Sequence, residues 1–202
     1  MTKIKMCGLS RPCDIDYANE IMPEYIGFVF AKKSKRYVLP EKAFELRQNL
    51  DKNIIPVGVF VDSDINFVAE LVNKKIIDIV QLHGSEDDNY IESLRKLVSV
   101  PIIQAFTIGK PEDIQKAEKS PAEYILLDSG KGSGKTFNHS LIRDLKRPYF
   151  LAGGLTPENV REIAQILKPY AVDASSSLET AGYKDVNKMR VFADALRRKD
   201  LI

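Results

Sequence analysis

Tyr149-Phe150-Leu151-Ala152-Gly153-Gly154-Leu155-Thr156-Pro157-Glu158-Asn159, a helical pattern, and then Ala171-Val172-Asp173-Ala174-Ser175-Ser176-Ser177-Leu178-Glu179 form the stretch from which the fold can be worked out. Two short apolar runs each end in very small residues, Gly153-Gly154 in the first case and Ser175-Ser176-Ser177 in the second. A small residue at a strand end lets a ligand approach backbone N–H groups, and a turn leading into a helix aims those groups outward. Paired strand ends of this kind suit an anion, most often a phosphate. In eight-stranded α/β barrels such a site lies in the loops after strands 7 and 8. Taken alone, the same residues also describe a tight strand-to-helix turn and a solvated serine loop, so the decision rests with the rest of the chain.

Working outward, short apolar runs alternate with amphipathic segments from end to end. Strands are expected at Ile4 to Cys7, Tyr25 to Phe30, Pro56 to Val61, Ile77 to Leu82, Pro101 to Phe106, Tyr124 to Asp128, Tyr149 to Ala152 and Ala171 to Ala174. Most are nearly continuous apolar runs, as in parallel strands covered on both faces. Helices are expected at Asp14 to Ile21, Pro40 to Asn49, Ile65 to Asn73, Glu86 to Val98, Pro111 to Glu118, Leu141 to Leu145, Pro157 to Leu167 and Asn187 to Arg198. Pro followed by an acid at Pro40-Glu41, Pro111-Glu112 and Pro157-Glu158 is a helix-start signal. Eight consecutive strand–helix units with crossovers of one hand imply one closed α/β barrel, a (β/α)8 TIM barrel forming a single domain over residues 1–202. An open doubly wound sheet is the alternative.

Composition narrows the function classes. Of the 202 residues, 44% are hydrophobic and 29% charged, an ordinary globular balance. Thirty basic against 28 acidic side chains leave a formal net charge of +2, which argues against bulk attraction to nucleic acid or an acidic membrane. No apolar run reaches the length of a membrane span, and no secretory h-region precedes Ile4-Lys5-Met6-Cys7. Cys7 and Cys13 have no metal-ligand or redox spacing, so a reducing, cytoplasmic setting is expected.

In a barrel the functional residues sit at the carboxyl ends of the strands. Those positions are Cys7 and Gly8, Arg36 in the loop after the second strand, Gln81, His83 and Gly84 after the fourth, Asp128 at the end of the sixth, and the Gly153-Gly154 and Ser175-Ser176 pair. Each has an ordinary explanation: an inert buried cysteine, a turn cap, a solvated basic run around Lys32-Lys33-Ser34-Lys35-Arg36. Their convergence on one rim favours function. Gly130-Lys131-Gly132-Ser133-Gly134-Lys135-Thr136 imitates a nucleotide-binding P-loop, but the required first glycine falls on Ser129. Its glycine density reads better as a mobile active-site loop. Only His83 and His139 are available as histidine ligands, and neither has a partner at metal-binding spacing, so no metal is expected. What remains is a thiol and a carboxyl group near an anion site, a pair able to move protons without a cofactor.

Ile4-Lys5-Met6-Cys7-Gly8-Leu9-Ser10 resembles the opening motif of the phosphoribosylanthranilate isomerases, barrel enzymes of tryptophan biosynthesis. So do Gly27-Phe28-Val29-Phe30 with Ser34-Lys35-Arg36-Tyr37, Val57-Gly58-Val59-Phe60-Val61, Val80-Gln81-Leu82-His83-Gly84 and Leu126-Leu127-Asp128. Gly132-Ser133-Gly134-Lys135-Thr136-Phe137, Ala152-Gly153-Gly154-Leu155 with Pro157-Glu158-Asn159-Val160, and Val172-Asp173-Ala174-Ser175-Ser176 continue the match in order. The resemblance implies a cofactor-free Amadori rearrangement of N-(5-phosphoribosyl)anthranilate to 1-(2-carboxyphenylamino)-1-deoxyribulose 5-phosphate. It implies Asp128 as general acid, Cys7 as general base and Arg36 on the anthranilate carboxylate. Asp173 is implied near the sugar hydroxyls, Gln81 and His83 in the pocket wall, and Gly153, Gly154, Ser175 and Ser176 around the phosphate. The thiol then needs thiolate character, which nearby positive charge would supply.

The expected partner is a small phosphorylated substrate, with neither nucleic acid nor membrane, and the protein a monomer or homodimer. The chain departs from the family pattern at Ser177, where Gly is usual, and at Phe137-Asn138-His139, where the family has Phe-Asp-Trp. The loop over Ser129 to Gly132 is also short. Other sugar-phosphate barrels compete less well: one relies on paired aspartates where this chain has Cys7, one needs a metal-ligand set, and one needs lysines on inner strand ends. A non-catalytic barrel would have lost one of the acid–base pair.

Overall fold

Successive residues on a strand point to opposite faces, and in this chain that alternation decides what fills the barrel and what faces the helices. The computed structural model describes residues 1–129, 142 and 145–198. Eight parallel strands close in sequence order: β1 (Lys3–Cys7), β2 (Tyr25–Val29), β3 (Ile55–Phe60), β4 (Ile79–Leu82), β5 (Ile102–Thr107), β6 (Tyr124–Asp128), β7 (Tyr149–Ala152) and β8 (Ala171–Ala174). The last strand pairs with the first through Lys3↔Ala171, Lys5↔Asp173 and Met6↔Ala174, which excludes the open sheet. The helices around it are α1 (Pro12–Ile21), α2 (Pro40–Gln48), α3 (Ile65–Asn73), α4 (Asp88–Arg95), α5 (Pro111–Glu118), α6 (Val160–Leu167) and α7 (Val186–Arg197).

One set of strand residues, including Ile4, Met6, Ile26, Phe28, Phe60, Val80, Leu82, Ile125, Leu127, Leu151 and Val172, packs against the helices in the main core. The opposite set points inward. Its lower layers, Tyr25, Val57, Ile79, Ile103, Leu126 and Phe150, form a separate apolar cluster inside the barrel. Lys3 closes the bottom, its Nζ 2.7 Å from Tyr170 Oη, with Tyr124 stacked on Tyr170 at 5.0 Å. The polar inward residues lie in the upper layers, Lys5 and Cys7 on β1, Gln81 on β4, Asp128 on β6 and Asp173 on β8, beside apolar Val29, Val59 and Ala152. An apolar filling below and polar groups above is the division expected when chemistry sits at the carboxyl end.

Helix starts follow local chemistry. Asp64, Asp87 and Asp185 cap α3, α4 and α7 by accepting from backbone N–H groups of the first turn. Pro40 and Pro111 occupy first helical positions, as their sequence signal predicts. Pro157 does not. Asn159 Oδ1 accepts from Thr156 N at 2.8 Å and its Nδ2 donates to Gly154 O at 2.9 Å, so these residues form a tied turn and α6 begins at Val160. β4 likewise starts at Ile79 rather than Ile77, although Ile76 and Ile77 are buried. The predicted helix over Leu141–Leu145, apart from Ile142 and Leu145 themselves, the glycine-dense loop of Gly130–Thr136 and Phe137-Asn138-His139 lie outside the described residues. Among the described residues no helix is long and apolar enough to cross a membrane.

A hairpin absent from the sequence reading follows β8. A 3-10 turn (Ser176–Leu178) leads into β9 (Glu179–Thr180), which pairs antiparallel with β10 (Tyr183–Lys184). Its two-residue turn has φ +52° at Ala181 and +83° at Gly182. Both central residues are therefore left-handed, as in a type I′ turn, where Asn-Gly is the preferred pair and alanine is strained. Ala181→Asn is expected to stabilise the protein by about 0.5–1 kcal/mol, raising Tm by roughly 1–4 °C in calorimetry. An unchanged or lower Tm would show that the turn stores no strain.

Candidate active site

Cys7, Arg36, Gln81, His83, Asp128, Gly153, Gly154, Asp173, Ser175 and Ser176, the residues singled out from the sequence, all line one cavity of about 620 Å³ at the carboxyl end of the strands. The barrel brings them together by ending β1 at Cys7 and β6 at Asp128, and by placing Gln81 and Asp173 on inward positions of β4 and β8.

Cys7 is buried and free. Its neighbour across the ladder is Gly27, where a Cβ would stand 2.6 Å from Cys7 Sγ, so the glycine makes room for the sulfur. Two residues back on the same face lies Lys5, fully buried, with Nζ 2.8 Å from Asp173 Oδ2. The sequence reading did not single out Lys5, an inward lysine in the middle of β1. Burial opposes its charge, but Asp173 and then Cys7 outweigh that and raise its pKa. The thiol also differs from expectation. Burial pushes the Cys7 pKa up, and Lys5 and Lys184 only partly offset this.

Gln81 and His83 act as a unit. The Gln81 amide nitrogen lies 2.8 Å from His83 Nδ1. An amide nitrogen can only donate, so Nδ1 is the acceptor and the ring proton sits on Nε2. Burial lowers the His83 pKa, which favours this neutral form. Nε2 points towards Asp128, with 3.8 Å to Oδ2, beyond hydrogen-bond range. Two buried acceptors, Gln81 Oε1 and Asp173 Oδ1, have no partner among the described residues. Buried acceptors of this kind are ordinarily satisfied, and both belong to residues lining the cavity, where they suit hydroxyl or N–H groups of a ligand.

The loops after β7 and β8 form the anion-like end. Gly153 has φ +88°, and a Cβ there would meet Asp128 Oδ1 at 2.7 Å and Ser129 Oγ at 2.1 Å, so only glycine fits. The N–H groups of Gly154, Leu155, Ser176 and Ser177 donate to none of the described residues. Ser175 is different, because its Oγ donates to Cys7 O at 2.8 Å and so locks the loop to β1. Its hydroxyl proton is committed, which leaves backbone amides and Ser176 as donors. Ser177 is not among the residues with positive φ, so the 3-10 turn accepts serine without strain.

Arg36 meets Glu179 through two hydrogen bonds, Nε to Oε1 at 2.6 Å and Nη2 to Oε2 at 2.8 Å. Buried Lys184 stands 2.5 Å from Glu179 Oε1 and 3.0 Å from Ser175 O. Glu179 and Lys184 escaped the sequence reading. The available signal was the Ala181-Gly182 turn between two short polar-apolar segments, which folds Lys184 back beside Glu179. Among the described residues no group of three or more His, Cys, Asp or Glu side chains is placed to hold a metal ion.

Comparison with known proteins identifies this arrangement. The family model for N-(5'-phosphoribosyl)anthranilate (PRA) isomerase matches residues 4–195. The chain is 41% identical to N-(5'-phosphoribosyl)anthranilate isomerase of Thermoanaerobacter sp. (strain X514), covering 98% of both chains. It is 40% identical to that of Clostridium acetobutylicum, covering 98% of this chain and 99% of the other. The crystal structure of phosphoribosyl anthranilate isomerase from Thermotoga maritima superposes with a TM-score of 0.90 at 34% identity, covering 98% of this chain and 99% of that one. A phosphoribosyl anthranilate isomerase solved in complex with reduced 1-(o-carboxyphenylamino)-1-deoxyribulose 5-phosphate gives a TM-score of 0.87 at 33% identity, with the same coverage. Motifs at seven of the eight strand ends, a closed barrel and relatives matched over almost their full length agree: the chain belongs to the N-(5'-phosphoribosyl)anthranilate isomerase family, the aldose–ketose isomerases of tryptophan biosynthesis.

Proposed function

We propose that the single barrel over residues 1–202 binds N-(5'-phosphoribosyl)anthranilate across its mouth and rearranges it with Asp128 as general acid and Cys7 as general base. The observation that carries this reading is the shared cavity: a carboxyl group, a thiol, a guanidinium and two loops with unengaged N–H groups around one space. The phosphate lies on the amides after β7 and β8, and the anthranilate carboxylate on Arg36. Gln81 Oε1 and Asp173 Oδ1 accept from the sugar hydroxyls. The relative solved with a reduced product analogue supports a ligand of this class.

Asp128 donates its proton to the ribose ring oxygen as the C1–O bond breaks, and the anilino nitrogen lone pair forms a C=N bond. The resulting iminium acidifies the C2 hydrogen. Cys7 takes that proton in its thiolate form, which burial disfavours and Lys5 and Lys184 support, and the electrons of the C–H bond move through C1 to nitrogen, giving the enol-amine. Tautomerisation with protonation at C1 yields the ketone, and no electron leaves the substrate. Neutral His83, with its Nε2–H turned towards Asp128, adds no positive charge beside the acid.

Restoration of growth to a tryptophan auxotroph lacking this step, together with conversion of the substrate by purified protein, tests the activity. Absence of turnover by folded protein would overturn it. For the phosphate loops, inorganic phosphate is expected to compete with the reduced product analogue in a calorimetric titration. An affinity for the analogue that phosphate leaves unchanged would remove the phosphate from these loops.

A further inference from the structure

Arg36 stands in the loop after β2, where its backbone N–H donates to Ser34 Oγ at 3.1 Å. The guanidinium is aimed by Glu179, 143 residues away. Nε–H and one Nη2–H are committed to the two oxygens of that carboxylate. These hydrogens form one of the two parallel forks a guanidinium offers. The other fork, Nη1–H with the second Nη2–H, makes no hydrogen bond to the described residues, and Arg36 lines the cavity. The arginine stem is confined from the far side as well, because a Cβ at Gly8 would lie 2.4 Å from Arg36 Cδ.

Glu179 is itself fixed. Lys184 faces it across the β9–β10 ladder and donates to Oε1, and Lys188 Nζ donates to its backbone oxygen at 2.6 Å. Burial opposes the Glu179 charge, but Arg36 and Lys184 outweigh it and hold the carboxyl below its usual range, so it stays an acceptor on both oxygens. Lys184 also reaches Ser175 O, and Ser175 Oγ reaches Cys7 O. The arginine is thereby linked to the phosphate loop and to the end of β1.

We infer that Glu179 is a positioning residue that occupies one fork of the Arg36 guanidinium and presents the other to the aromatic carboxylate of the ligand. This rests on the reading of Arg36 as the anthranilate-carboxylate site. A carboxylate that merely blocked the arginine would have to leave before the ligand bound; the unused fork makes departure unnecessary.

The test compares wild type with Glu179→Ala, Glu179→Gln and Arg36→Ala. Two probes are titrated by calorimetry, the reduced product analogue and its counterpart lacking the aromatic carboxyl group, with circular dichroism confirming the fold. Wild type is expected to prefer the carboxyl-bearing probe, and Arg36→Ala to lose that preference. Glu179→Ala should lower the preference about 10- to 100-fold, the range for a hydrogen-bonded charged group, and Glu179→Gln should lower it less. Affinity for the probe lacking the carboxyl group should stay within about twofold, and turnover should show a raised KM with a smaller change in kcat. No preference in wild type would sink the Arg36 reading itself. Loss in Arg36→Ala with full retention in both Glu179 variants would overturn only the role of Glu179. Equal weakening of both probes would make Glu179 a structural residue, and tighter binding of the carboxyl probe to Glu179→Ala would make it a competitor; either result overturns the inference. Should Glu179→Ala fail to fold, Glu179→Gln carries the same comparison.

Discussion

Asp128→Asn is expected to lower kcat by about 10²- to 10⁴-fold while leaving affinity for the reduced product analogue nearly unchanged. The amide keeps the shape of the carboxyl group but cannot deliver an acidic proton to the ring oxygen. That loss corresponds to at least roughly 3 kcal/mol of barrier. Cys7→Ala should lose a similar factor, because no other thiol reaches the cavity and the C2 proton would have no acceptor in place. The two losses should not multiply in the double variant, since each residue serves one reaction sequence. Asp128 sits at a strand end directly beside Gly153, and Cys7 opposite Gly27, so both variants are expected to stay folded. Steady-state kinetics, product-analogue titration and circular dichroism check all three proteins. Near-wild-type kcat in folded Asp128→Asn or Cys7→Ala would remove that residue from its role.

The barrel was legible because its strands are buried on both faces and so read as unbroken apolar runs, bounded by small residues and separated by helical periodicity. The site was legible where a short side chain ends a strand: Cys7, Asp128, Gly153-Gly154 and Ser175-Ser176 all fell at the rim as expected. Arg36 was found through its loop motif, but Lys5, Glu179 and Lys184 were not found. A lysine inside a strand reads as a solvated edge, and Lys5 becomes an interior residue only because β1 closes on β8 and brings Asp173 opposite it, 168 residues away. Glu179 and Lys184 were hidden for a related reason: a two-residue turn decides their meeting, and their common partner Arg36 lies in a distant loop. The thiol shows the limit of counting nearby charges. Cations do surround Cys7, yet burial wins, and the net effect needs a depth that no motif carries.

Lys5→Met is expected to destabilise the protein by about 3–5 kcal/mol, the range for breaking a buried ion pair from one side. Lys5 is wholly enclosed and the Asp173 side chain is 8% exposed. Removing the ammonium strands a carboxylate whose other oxygen already has no partner among the described residues. The surface pair Lys74–Glu70, with both side chains more than half exposed, should cost no more than about 1 kcal/mol when broken the same way. Restoring neutrality in Lys5→Met/Asp173→Asn should recover part of the loss, because the penalty belongs to the unpaired charge rather than to the lost contact. The pH dependence follows from the same burial. Folding raises the pKa of both Lys5 and Cys7, so the stability they contribute is complete below the unfolded values, 9.0 for the thiol and 10.5 for the ammonium. It is lost as pH rises through the folded values. Wild type should therefore lose stability above pH 9, and Cys7→Ala should retain more of its neutral-pH stability at alkaline pH. With Lys5 gone, the cation that opposes the effect of burial on Cys7 is gone too, and thiol titration of folded Lys5→Met should find its pKa higher than in wild type. Denaturant unfolding across pH gives the stabilities. A Lys5→Met penalty no larger than that of Lys74→Met, or a Cys7 pKa unmoved by the substitution, would mean that Lys5 neither anchors the closure of β1 on β8 nor supports the thiolate.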